Sequence, residues 1–149
     1  EGWKEYDYER GRSGYPTGKD EHINGGKLQP MQGGFLARNR EGKTHLVFGA
    51  IATKYATVDK ADLGLPISNE YKIDGGWFQQ FENGNIYFSP ESGAQVIKYG
   101  KIFDEWGKHG YEKGKFGWPT ADFESKPGVN EQKFQNGTLQ EINGGVREK

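Results

Sequence analysis

Three copies of a Gly-x-Pro tripeptide set the length scale of this chain. They are Gly14-Tyr15-Pro16, Gly64-Leu65-Pro66 and Gly117-Trp118-Pro119, with the prolines 50 and 53 positions apart. Glycine reaches positive φ without a steric penalty, and proline fixes φ near about −65°, so each tripeptide reads as a rigid elbow. A spacing of about 50 residues belongs to repeat architectures, whose units bury their apolar faces only against neighbours.

More than the elbow recurs. Phe81-Glu82-Asn83-Gly84-Asn85-Ile86 returns as Phe134-Gln135-Asn136-Gly137-Thr138-Leu139 and, more loosely, as Met31-Gln32-Gly33-Gly34-Phe35-Leu36. Gly100-Lys101-Ile102 with Trp106 is matched by Gly49-Ala50-Ile51 with Tyr55. The expected division is a tail of a preceding unit over 1–12 with Trp3 packed inward, repeats over 13–62 and 63–115, and a partial repeat over 116–149 that is cut short after Leu139.

Asn83-Gly84 between two apolar-rich runs predicts a type I′ hairpin, with Glu82 facing Asn85 and Phe81 facing Ile86. Alternation then puts Trp77, Gln79, Phe81, Ile86 and Phe88 on one face, and Phe78, Gln80, Glu82, Asn85, Tyr87 and Ser89 on the other. Positions 81 and 86 stay apolar in every unit and read as core. Tyr87 corresponds to Ala37 and Gln140, so its face is expected to meet solvent or a ligand. Ile102 and Trp106, at i and i+4, predict a helix from Lys101 to His109 ended by Gly107 and Gly110, and Ala50 to Val58 predicts its counterpart. The Gly-Gly pairs at 25–26, 75–76 and 144–145 read as turns. The expected fold class is α+β: a tandem array of short antiparallel β-meanders, each followed by a short helix and a Gly-x-Pro elbow, curving into an arc or ring.

Charge narrows the function. The formal net charge is −1 and no basic block occurs, which argues against a nucleic-acid partner. No apolar run approaches the roughly 18 residues of a membrane span. Aromatics make up 14% of the chain and supply a core where aliphatic residues are few. Cysteine is absent, so thiolate chemistry is excluded. His22, His45 and His109 lack metal-ligand spacing. Asp20 with Glu21 and Asp122 with Glu124 could be imagined as a glycosidase pair, but carboxylates that recur with the repeat fall at equivalent places in different units. No catalytic residue, cofactor or metal is expected.

Leu63-Gly64-Leu65-Pro66, Phe81-x-x-Gly84-x-Ile86-Tyr87-Phe88, Gly93-Ala94 and Gly100-x-Ile102-x-x-x-Trp106 resemble the LGFP repeat. The resemblance implies a module of secreted proteins in mycolate-containing actinobacteria, holding its protein on cell-wall polysaccharide such as arabinogalactan. It also implies a secreted or cell-envelope location. Sugars stack their C–H faces on aromatic rings and hydrogen-bond to amides and carboxylates. The expected ligand-binding residues are therefore Phe78, Gln80, Glu82, Asn85 and Tyr87, joined by Tyr15 and Trp118 from the middle of two elbows. An alternative is a protein–protein interaction module that uses the same face to dock an attached or separate envelope protein. A wall-glycan hydrolase is the third reading.

Overall fold

The computed structural model describes residues 16–149. The tail over 1–12, Trp3 and Tyr15 lie outside them. Among the described residues twelve strands form three four-stranded antiparallel sheets, each a meander in chain order. The first holds β1 (Glu21–Ile23), β2 (Gly26–Met31), β3 (Gly34–Arg38) and β4 (Thr44–Phe48). The second holds β5 (Tyr71–Ile73), β6 (Gly76–Phe81), β7 (Gly84–Ser89) and β8 (Gly93–Lys98). The third holds β9 (Glu124–Lys126), β10 (Val129–Phe134), β11 (Gly137–Ile142) and β12 (Gly145–Glu148). Helix α1 (Gly49–Tyr55) and the single turn α2 (Lys60–Leu63) follow the first sheet; α3 (Lys101–Lys108) and a 3₁₀ turn (Tyr111–Lys113) follow the second. The third meander does not stop near Leu139 but runs through β12 to Glu148.

The helices separate the sheets. α1 packs on β3 and β4 of its own unit and on β7 and β8 of the next; α3 packs on β11 and β12. One core joins Leu28, Ala37 and Val47 of the first sheet, Ile51 and Tyr55 of α1, and Phe81, Ile86 and Val96 of the second sheet. The other joins Tyr87 and Ile97 from the opposite face of the second sheet, Ile102 and Trp106 of α3, and Phe134 and Leu139 of the third sheet. The second sheet is thus covered on both faces. Tyr87, expected at the surface, is 5% exposed.

The hairpin register also differs from expectation. Phe81 pairs with Gly84 and Gln80 with Asn85, so the turn is Glu82-Asn83, and neither residue has a positive φ. The cause is the elbow. Leu63–Ile67 lies beside the end of β6, with Glu82 N–H donating to Leu65 O (3.0 Å) and Asn83 N–H to Leu63 O (2.9 Å). The turn's donors serve the elbow, so the primed turn forms elsewhere: at Asn24-Gly25 (φ 51° and 85°) and Asn143-Gly144 (53° and 80°). A slip of two residues keeps every side chain on its face, so the two faces of the hairpin are those expected. Gly107 lies inside α3, where a Cβ would come 2.7 Å from the Tyr111 ring; the left-handed residue past the helix is Gly110 (φ 97°).

The proline of each elbow is held alike. Pro16 bridges Met31, Pro66 bridges Phe81, and Pro119 bridges Phe134. Proline donates no hydrogen bond, so its neighbours carry the pairing: Thr17 N–H to Pro30 O, Ile67 N–H to Gln80 O and Thr120 N–H to Lys133 O, at 3.0, 2.9 and 2.9 Å. Gly64 and Gly117 have φ of 91° and 77°. The hairpin turn packs directly on them: a Cβ on Gly64 would lie 2.5 Å from the Glu82 Cβ, and one on Gly117 would lie 2.5 Å from Gln135 Oε1. Those two side chains accept from the residue before the proline, Leu65 N–H to Glu82 (3.0 Å) and Trp118 N–H to Gln135 (3.1 Å). From the other side the helix aromatics donate to the glycine carbonyls: Tyr55 Oη to Gly64 O (2.8 Å) and Trp106 Nε1 to Gly117 O (3.0 Å).

A glutamine completes the joint. Gln29, Gln79 and Gln132 are equivalent, and each donates its amide to the segment after the elbow, at Gly18, Ser68 and Ala121 O. Gln79 and Gln132 have no exposed surface, and Gln79 also reaches back to Leu46 O of the preceding unit (3.0 Å). A buried amide donor requires such partners.

Candidate functional site

The expected ligand face is mostly a joint. Register places Phe78 opposite Tyr87 and Tyr71 opposite Phe78. The three rings form a column: Tyr71 and Phe78 stack at 5.0 Å and 28°, Phe78 and Tyr87 at 4.9 Å and 11°. The inner end of the column meets the edge of Trp106 at 5.1 Å. Its outer end is Tyr71, 47% exposed. The column therefore runs from solvent into the core between the second and third sheets.

Trp118 closes one side. Its ring stands edge-on to Tyr87 at 6.0 Å and lies over the Asp74-Gly75 turn, where a Cβ on Gly76 would come 2.8 Å from it. Phe78 and Trp118 are half-buried. Gln80 is half-buried on the same face. Asn85 is 2% exposed, which corrects its expected exposure, and its Oδ1 accepts from Tyr99 Oη at 2.6 Å. Glu82 is drawn away to the elbow, where it also accepts from Asn24 Nδ2 at 3.2 Å. Phe78, Tyr87 and Trp118 are thus brought together, Gln80 and Asn85 lie beside them, and Glu82 serves the fold.

Burial pushes the Tyr87 hydroxyl well above its ordinary range, with the Glu112 carboxylate adding to the shift. The same desolvation raises Tyr55. Both phenols are neutral hydrogen-bonding groups at physiological pH. Among the described residues no group of three or more His, Asp and Glu could hold a metal. Asp122, half of one imagined carboxylate pair, accepts from Val96 N–H (2.9 Å) and pairs with Lys54 (2.9 Å).

Tyr71 was missing from the expected site. Its strand is three residues long, and the Asp74-Gly75 turn alone marks it in the sequence. Once that turn is read as a two-residue hairpin, Tyr71 must face Phe78. The column occurs in one unit only: the positions of Tyr71 and Phe78 hold Glu21 and Leu28 in the first unit, and Glu124 and Glu131 in the third.

The fold and its joints define a tandem-repeat module whose units are locked by Gly-x-Pro elbows. Residues 63–114, from the second elbow through α3 and the 3₁₀ turn, match the family model of the LGFP repeat. The LGFP repeat is a non-catalytic repeat family, and the match suggests a cell-envelope-associated module. No curated protein matches the chain. No helix among the described residues is long and apolar enough to cross a membrane.

Proposed function

We propose that the chain is a non-catalytic binding module that holds a secreted protein on envelope polysaccharide, with arabinogalactan as the glycan. The observation that carries this reading is the aromatic column open at one end, with Tyr71 exposed above Phe78 and Trp118 beside it. A sugar ring lies flat on such a surface, and Gln80, Asp74 and Lys113 supply hydrogen-bonding groups nearby; the last two face each other across 4.0 Å. Tyr87 and Asn85 act beneath this surface by fixing Phe78 and Tyr99.

The experiment is retention on purified cell wall from a mycolate-containing actinobacterium, stripped of mycolates, with arabinogalactan removed from half the sample by mild acid. Retention should vanish with the arabinogalactan and fall several-fold in Tyr71→Ala. That variant should keep its stability within about 1 kcal/mol, as exposed positions do. Equal retention of Tyr71→Ala and wild type would refute the aromatic surface. No retention on either wall would leave an envelope protein as the partner.

A further inference from the structure

Away from the aromatic column, three surface depressions run in series. The first, about 370 Å³, lies over α1 between Thr53, Thr57 and Ala94. Thr57 also lines the second, about 420 Å³, which reaches across to Phe123, Ser125 and Asn130. Asn130 in turn lines a third, about 250 Å³, that continues to Glu141 and Asn143. Two of the three fall within the range of about 300–1,000 Å³ typical of ligand pockets. Thr57 belongs to the first unit, Ala94 to the second and Asn130 to the third, so the track exists only where the units are assembled. No residue of the aromatic column lines it.

We propose that this track seats an extended segment of an uncharged polysaccharide. The inference rests on the reading that the module binds envelope glycan, and it adds where a chain lies and which chains are refused. Depressions joined end to end through shared residues suit a linear polymer rather than one small molecule. The middle depression offers an apolar floor, with Phe123, Leu63 and Val96, for the C–H face of a sugar. Its polar groups are already fixed. Asp59 accepts from Ala61 and Asp62 N–H (3.1 and 3.3 Å), and Ser125 donates to Asn130 (2.8 Å), whose amide donates to Glu141 (3.2 Å). Groups held in place lose little freedom on binding.

Charge selects the polymer. The three ammonium groups that line the track each face a carboxylate: Lys54 with Asp122 at 2.9 Å, Lys98 with Asp62 at 2.6 Å, and Lys126 with Glu124 at 3.5 Å; a fourth, Lys101, donates to Gly144 O at the far end. Among the described residues Asp59 and Glu141 have only N–H donors for partners. What remains is acceptor capacity and residual negative charge. Hydroxyl-rich neutral chains supply the O–H donors, whereas chains bearing uronate or phosphate meet like charge along a lining whose ammonium groups are already paired.

Affinity electrophoresis tests this with linear arabinan as the neutral polymer and polygalacturonate as the anionic one. Wild type should be retarded by arabinan, more strongly as chain length grows, and not by polygalacturonate. Thr57→Trp fills the track from an exposed position, and Asn130→Ala removes the group shared by two depressions. Each should weaken arabinan binding about tenfold, roughly 1.4 kcal/mol, with thermal melts showing both variants folded. Wild-type-like retardation of both variants, with loss of retardation in Tyr71→Ala, would overturn the track and leave the aromatic surface standing. Retardation by polygalacturonate equal to that by arabinan would overturn the charge argument. No retardation of wild type by any neutral wall polysaccharide would remove the underlying reading together with the track.

Discussion

Gly64→Ala tests why the elbow needs glycine. Gly64 has φ 91° and ψ −174°, a region closed to residues with a Cβ. Holding alanine there costs about 1–3 kcal/mol. The new Cβ would also sit 2.5 Å from the Glu82 Cβ, an atom fixed by the hairpin turn and unable to swing aside. Moving the turn breaks the Glu82 bond to Leu65 N–H, worth a further ~1–2 kcal/mol at this half-buried site. The expected total is about 2–5 kcal/mol, a large share of the ~5–15 kcal/mol that holds a domain together. Urea unfolding followed by tryptophan fluorescence reads it directly, since Trp106 is fully buried against the elbow. Two companions separate the causes. Gly117→Ala meets the flexible end of Gln135 first and should be milder. Gly128→Ala, at φ 80° with nothing within 4 Å, should show the backbone strain alone, about 1–2 kcal/mol. A Gly64→Ala loss no larger than that of Gly128→Ala would refute the packing half of the argument.

Tyr87→Ala should cost about 3–5 kcal/mol in the same urea assay, because it empties a site between Phe78 and Trp106. Raising the pH should destabilise the fold. Tyr55 and Tyr87 have folded-state pKa values above the ordinary 10.0, so their contribution is complete below that value and is lost as pH climbs past it. Melting temperature between pH 8 and 11 checks this, and Tyr87→Phe should flatten the decline. At the acid end, the Gln140 amide (2.8 Å) holds the Glu131 carboxyl below its usual range. That contribution is present above the ordinary carboxylate pKa and lost as pH falls through the lowered one. Glu131→Gln should therefore reduce the slope of stability between pH 5 and 3.

The periodic features were legible because the same physics acts in both joints. The elbows at Pro66 and Pro119, the helix over Lys101–Lys108 with Ile102 and Trp106 buried, and the two faces of the hairpin all follow from recurring residues. The register was not legible, because Asn83-Gly84 is a strong primed-turn signal on local grounds and the competing partner, Leu63–Ile67, acts through tertiary pairing. Burial of Tyr87 was misread for a different reason. Ala37 at the equivalent position looked like surface variability. In fact the bulky ring moves two places along the same face: Phe35 and Ala37 in the first unit become Asn85 and Tyr87 in the second. Phe35 meets the Tyr55 ring at 5.2 Å, as Tyr87 meets Trp106 at 5.1 Å, so each joint is filled once. Volume is conserved while position is not. The glutamine triplet was visible in spacing, since Gln29, Gln79 and Gln132 repeat with the prolines, but a polar side chain on a core face gives no hint of its partners.

The same comparison separates folding from binding. The elbow glycine, its turn cap, the helix aromatic and the buried glutamine amide donor recur from joint to joint, and each bonds inside the protein. The third sheet carries different residues on this face: Glu131, Gln140 and Arg147 occupy positions filled in the second sheet by Phe78, Tyr87 and Gln95, and they bond to one another at 2.8 and 3.2 Å, leaving Glu131 and Gln140 little exposed. That face is satisfied by itself and lacks the apolar residues that fill the two joints. Residues that recur in the joints keep the units together, and residues that occur once are free to meet a ligand. Tyr71 combines both conditions, since it is unique among the units yet rests on a column that ends at a joint. A ligand seated on it therefore binds only the assembled array. At a hundred times its dissociation constant it would stabilise that assembly by about 2.7 kcal/mol, and the second and third units would be the ones to resist unfolding.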